Sequence, residues 1–140
     1  MLREPALVAE SVASDEERAR LGLFPGEMVF RIDQVRGQGA HLLVEHVRLP
    51  AALFPNLQKL VPSISDLADT NGLRLGGALE RLCVVPAPAS IAKALGVTGG
   101  TLVLMSDRVV HLREGRPAEW RTTYRLDQGN LARLKARLGS

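Results

Sequence analysis

The chain has 140 residues, a formal charge of +3, 46% apolar residues and only 4% aromatic ones. That is enough chain for a single domain over residues 1–140, with a core resting on Leu, Val, Ile and Ala. The mild, dispersed basicity lacks the Lys/Arg runs or aromatic–basic stripe of a direct nucleic-acid binder. A lone cysteine, Cys83, rules out a disulfide framework. With no apolar run of membrane-spanning length and no apolar signal-peptide core near the N-terminus, the expectation is a cytoplasmic domain without a membrane partner.

In chain order, "ALVAESV" (6–12) reads as a strand. Ser14-x-x-Glu17 is a capping-box pattern that opens a helix, and Gly22 closes it in the left-handed conformation. "EMVFRIDQVR" (27–36) alternates apolar and polar side chains as a long strand, "GQGA" turns, and "HLLVEHVRL" returns. In the middle stretch, 50–76, "LPAALFPNLQKL" supplies a helical turn broken by Pro55. "SISDLADTNG" follows as a short helix capped by Ser63 or Ser65 and ended by Asn71-Gly72. "LERLCVV" is again a strand. Pro88 suits a helix start and Gly96 its end. "TLVLMSDRVV" (101–110), the turn "REGRP" and "AEWRTTYRL" form a second hairpin. The last stretch, "LDQGNLARLKARL", places Leu131, Leu134 and Leu138 on one face of a C-terminal amphipathic helix.

The two hairpins say nearly the same thing. At a fixed offset of 74, Leu21-Gly22 falls on Leu95-Gly96, Gly26 on Gly100, Val29 on Val103, Asp33 on Asp107, Val35 on Val109 and Glu45 on Glu119. Random pairing over that span gives roughly two identities at average composition. The period is too long for a solenoid. The expectation is an α+β domain of two similar strand–helix–hairpin halves sharing one antiparallel sheet.

The order and spacing of "LGLFPGEMVFRIDQVR", "EHVRLP", "LFPNL", "SISDLADTNGLRL", "LGVTGGTLVLMSDRV" and "GRPAEWRTTYR" resemble the UTRA domain. This is the effector-binding half of the HutC branch of GntR-type transcription regulators, and the likeness covers a core of about 7–126. The resemblance implies a chorismate-lyase-like fold, a small-molecule pocket and a homodimer. It also implies that DNA is reached only through a winged helix-turn-helix domain, of which this chain shows no trace before Leu7.

By the resemblance, Glu45 and Glu119 face the pocket, where a carboxylate accepts from hydroxyl or amine donors. Arg36 stands at the family's anion-binding arginine, whose fork fits carboxylate or phosphate. A second arginine that the family often carries two residues earlier is Gln34 here. Ser63 opens the central helix, where it either caps or helps bind an anion through free N–H groups; Ser65 stands where an aromatic is usual. The family's tyrosine pair on the last strand is Tyr124 followed by Arg125. Arg125 shares strand parity with Glu119 and Arg121, so these line one side and replace the arginine lost at Gln34. The expected ligand is a small, polar, anionic metabolite in a pocket walled by both hairpins and the central helix. No cofactor is expected. The spacing of His41, His46 and His111 suits no metal, Cys83 reads as structural, and Ser106-Asp107-Arg108 matches no nucleophile motif. The alternative is a chorismate-lyase-like enzyme that eliminates pyruvate with Arg36 and Glu119.

Overall fold

The computed structural model describes residues 8–55, 57 and 63–126. The elements run β1 (Val8–Val12), α1 (Asp15–Leu21), β2 (Met28–Arg36), β3 (Leu43–Pro50), α2 (Ile64–Thr70), β4 (Leu75–Pro86), α3 (Ala89–Leu95), β5 (Leu102–Leu112) and β6 (Pro117–Arg125). Short 3₁₀ turns cover Gly39–His41 and Ala51–Leu53. The amphipathic helix expected over the last stretch lies outside the described residues.

Local chemistry sets the helix ends. Ser14 Oγ accepts from the Glu17 amide at 3.2 Å, and Glu17 Oε1 accepts from the Ser14 amide at 2.8 Å, a complete capping box. Gly22 (φ 64°) and Gly96 (φ 72°) close α1 and α3 in the left-handed region. Pro88 is the residue just before α3 rather than its first helical residue. Of the two serines offered for α2, Ser63 is the cap: its Oγ accepts from the Asp66 amide at 3.1 Å. The strand expected over 79–85 begins earlier, at Leu75, with a register irregularity between Leu75 and Ala78.

The strands form one antiparallel sheet in the order β1-β2-β3-β6-β5-β4. Read inward from either edge, the halves are alike, and β3 and β6 join them at the centre. The repeat is not kept without a gap. Gln34 pairs with Glu45, whereas Arg108 pairs with Arg121 and Glu119 with Val110, a difference of two residues. An even slip keeps every side chain on its face.

Alternation divides the sheet. One face carries α1, with Leu21, Ala13 and Val29 packed against Trp120, and α3, with Ile91, Ala92 and Leu95 packed against Val44 and Val103. The other face carries α2 and Phe54, whose Ile64 and Leu67 pack on Phe30, Ile32, Val47, Leu49 and Leu112. Phe54 is wholly buried, and cutting such a side chain to Ala costs about 3–5 kcal/mol. That second cluster covers only part of its face. The rest of it is open, and the open part is polar. No helix among the described residues is long and apolar enough to cross a membrane.

Candidate functional site

The open part is built by register. Gln34, Glu45, Thr123, Ser106 and Leu82 follow one another across five strands. Arg36, Leu43, Arg125 and Leu104 form the next row on one side, and Val47, Arg121, Arg108 and Glu80 the row on the other. All of these but Gln34 and Val47 line a cavity of about 290 Å³, whose described walls come from strands alone.

Two buried glutamates set its electrostatics. Glu45 Oε1 accepts from Gln34 Nε2 at 2.9 Å and forms an ion pair with Arg36 Nε at 2.7 Å, and its Oε2 accepts from Arg121 Nη1 at 2.7 Å. Arg121 also donates through Nη2 to Glu119 Oε2 at 3.1 Å. Both glutamates are 2% exposed. A carboxylate at that depth needs a counter-charge and hydrogen bonds, and Arg121 serves both. Burial works against the charge on Arg121, but Glu119 and Glu45 outweigh it and its pKa is raised. Among the described residues the buried Arg121 Nε has no hydrogen-bond partner.

Arg36, Glu45, Arg121 and Arg125 therefore meet at one cavity, and Glu119 lies behind Arg121 as its second carboxylate. Three expected members are elsewhere. Tyr124 sits between Thr123 and Arg125 on β6, so alternation turns it to the helical face. There its ring meets His46 edge-on at 6.3 Å, in a slot of about 280 Å³ with Glu16, Arg48, Trp120 and Thr122. Burial raises its pKa. Ser63 caps α2, Ser65 is exposed, and neither lines the cavity. The described part of the central helix is thus not one of the walls. Arg36, read as an anion-binding arm, holds Glu45 instead. The pair proposed for elimination chemistry is divided, since Arg36 pairs with Glu45 and Glu119 with Arg121.

Sequence reasoning missed Ser106, Arg108 and Thr123. The signal was present: Leu104, Ser106 and Arg108 share strand parity, and Arg108 is the repeat mate of Gln34, where the sequence lacks an arginine.

A larger opening, about 590 Å³, lies among Leu23, Met28, Phe30, Pro50 and Pro55, but the only charged residues lining it among the described residues are Glu10 and Glu27. The helical face carries its own ion pairs. Glu17 accepts from Arg31 at 2.6 Å and lies 3.0 Å from Arg48. The Arg31 hydrogen bond holds its carboxyl at about 2. Asp33 is also held at about 2: burial opposes the shift, and hydrogen bonds from His46 and Arg48 overcome it.

The fold is thus an antiparallel sheet built from two like halves with a charged cavity on one face. The UTRA domain profile matches residues 6–128, and the chain belongs to that family. It is similar to the ligand-binding domain of a GntR-family transcriptional regulator from Bordetella bronchiseptica, with a TM-score of 0.78 and 26% identity over 88% of this chain and 82% of that one. It is also similar to a GntR-family regulator from Enterococcus faecalis, with a TM-score of 0.77 and 22% identity over 85% and 88%. PhnF from Mycobacterium smegmatis gives a TM-score of 0.71 and 20% identity over 84% of this chain and 55% of that one. No curated protein matches the chain in sequence. The domain is accordingly an effector-binding sensor of the kind found in GntR-type regulators.

Proposed function

We propose that the effector of this domain is a small, polar, anionic metabolite seated in the cavity bounded by Arg36, Glu45, Arg121 and Arg125. The observation that carries the reading is the Glu45–Arg121–Glu119 bridge, a buried ionic group beside an open cavity. The Arg36 arm that pairs with Glu45 is 53% exposed. A ligand with hydrogen-bond donors and an anion can pair with both signs of charge there. Binding favours one arrangement of the domain, and a linked winged-helix DNA-binding domain, of the HutC type, responds through linkage. The chain binds rather than catalyses, and it works in the cytoplasm beside the DNA its regulator controls.

The reading includes a homodimer. Strand β4 is the long edge of the sheet, its outer side unpaired among the described residues. Leu79 is 73% exposed and Leu82 56%. An edge of that length invites pairing, and a second copy supplies the matching edge.

The test is thermal shift across a metabolite panel, because a ligand that binds the folded state raises its stability by mass action. A hit should bind Glu45→Gln at least tenfold more weakly, about 1.4 kcal/mol. A confirmed effector that binds both proteins alike refutes the site. Turnover of chorismate without any stabilising metabolite refutes the function.

A further inference from the structure

We infer that the anionic group of the effector is held by Arg108 and Arg125, with the Ser106 and Thr123 hydroxyls between them, and not chiefly by Arg36. This rests on the effector reading above and assigns the ligand's charged end, a carboxylate or a phosphate, to the β5–β6 side of the cavity.

Among the described residues, the charges at the cavity do not balance without it. Arg36 and Arg121 have Glu45 and Glu119 as partners. Arg108 and Arg125 line the same cavity, and neither has a carboxylate partner among the described residues. Glu80 stands opposite Arg108 in the register but forms no ion pair with it. Arg108 is also the direct cross-strand neighbour of Arg121 on the same face. Like charges placed so are destabilising in a sheet unless an opposite charge lies close. The two glutamates beyond Arg121 are already bonded to it and Glu80 makes no ion pair, so an anion entering the cavity would supply the counter-charge that Arg108 lacks among the described residues.

The hydroxyls supply the geometry. Ser106 and Thr123 are a direct cross-strand pair, with Arg108 two residues along β5 and Arg125 two residues along β6 in the opposite direction. A group resting on the hydroxyl pair thus has a guanidinium reaching in from either end. Hydroxyls donate to anionic oxygens, and guanidinium forks fit carboxylate and phosphate in bidentate fashion.

Inorganic phosphate and acetate are the probes. Each is titrated at constant ionic strength into the ¹⁵N-labelled protein, and the amides of Ser106, Arg108, Thr123 and Arg125 and the arginine side-chain N–H signals are followed. The expected result is a saturable shift at these positions for one or both anions. Arg108→Gln and Arg125→Gln should each weaken it at least tenfold with the rest of the spectrum retained. Arg113→Gln removes an equally charged, exposed arginine at the β5–β6 turn and should leave it within twofold. Equal weakening by Arg113→Gln, or shifts that never saturate, shows general screening and overturns the subsite. A panel effector that binds Arg108→Gln as tightly as the unaltered protein also overturns the subsite, while leaving the sensor reading intact.

Discussion

The two halves share a plan and differ in what they buried. At equivalent places, Asp33 meets the His46 ring nitrogen at 2.8 Å and Asp107 accepts from the Trp120 indole at 2.9 Å. Both pairs lie on the helical face and obey the offset of 74. Yet Glu17 of α1, bonded to Arg31 and close to Arg48, corresponds to Ile91 of α3, buried in an apolar cluster. On the open face, Gln34 and Val47 of the first half correspond to Arg108 and Arg121 of the second. Repetition accounts for the scaffold. Departure from repetition accounts for the cationic site, since Arg108, Arg121 and Arg125 all belong to the second half.

The largest test of that asymmetry is Arg121→Met. It leaves Glu45 and Glu119 buried without the arginine they share, a change that costs about 3–5 kcal/mol. Urea unfolding measures it. A loss under 1 kcal/mol means that the carboxylates find other partners.

The two helices offer the next contrast. Ile91→Ala should cost about 2–5 kcal/mol through the cavity it leaves, and Glu17→Gln about 1.5–3 kcal/mol through lost charged hydrogen bonds. Acid separates them. A carboxyl held below its ordinary value stabilises the fold above that value, and its contribution disappears as pH falls from 4.5 toward about 2. Unfolding curves over that range should show Glu17→Gln losing less stability than the unaltered protein, with the same pH dependence in Ile91→Ala as in the parent. An unchanged slope in Glu17→Gln removes Glu17 from the account.

The hairpin tips differ more modestly. A Cβ at Gly37, where φ is +81°, would lie 2.3 Å from the His41 carbonyl oxygen, while one at Gly115 meets nothing within 4 Å. Both sit at positive φ, which costs an L residue about 1–2 kcal/mol. Gly37→Ala should exceed Gly115→Ala in thermal denaturation, and the reverse order contradicts the turn geometry. Leu82→Lys on the exposed edge should change monomer stability by less than about 0.5 kcal/mol. It should nonetheless lower the mass seen by light scattering at micromolar protein. A monomer mass for the unaltered chain removes the dimer.

Much of this was legible in the sequence, and the reasons are local. The Ser14-x-x-Glu17 box, Gly22 and Gly96 fix helix ends within a few residues of themselves, and period-two alternation from Val29 to Val35 marks a strand with two unlike faces. Parity alone placed Arg121 and Arg125 beside Glu119, and parity would equally have set aside Tyr124, which the family resemblance put in the pocket although it sits one residue from Thr123. What sequence could not supply was pairing across strands. That Arg36 is held by Glu45, and that Arg108 stands opposite Arg121, depends on registers joining residues far apart in the chain. The two-residue slip between the hairpins breaks the repeat at the place where those partners are set.

Parity also gives the sharpest test. Thr122 and Thr123 are neighbours in sequence on opposite faces of β6, one in the slot with Trp120 and Tyr124, the other in the cavity with Glu45 and Arg121. With threonine methyl groups labelled with ¹³C, titration of an effector found in the metabolite panel should move the Thr123 methyl signal and leave that of Thr122 nearly still. A large shift at Thr122 with Thr123 unmoved would put the effector on the helical face and contradict the account.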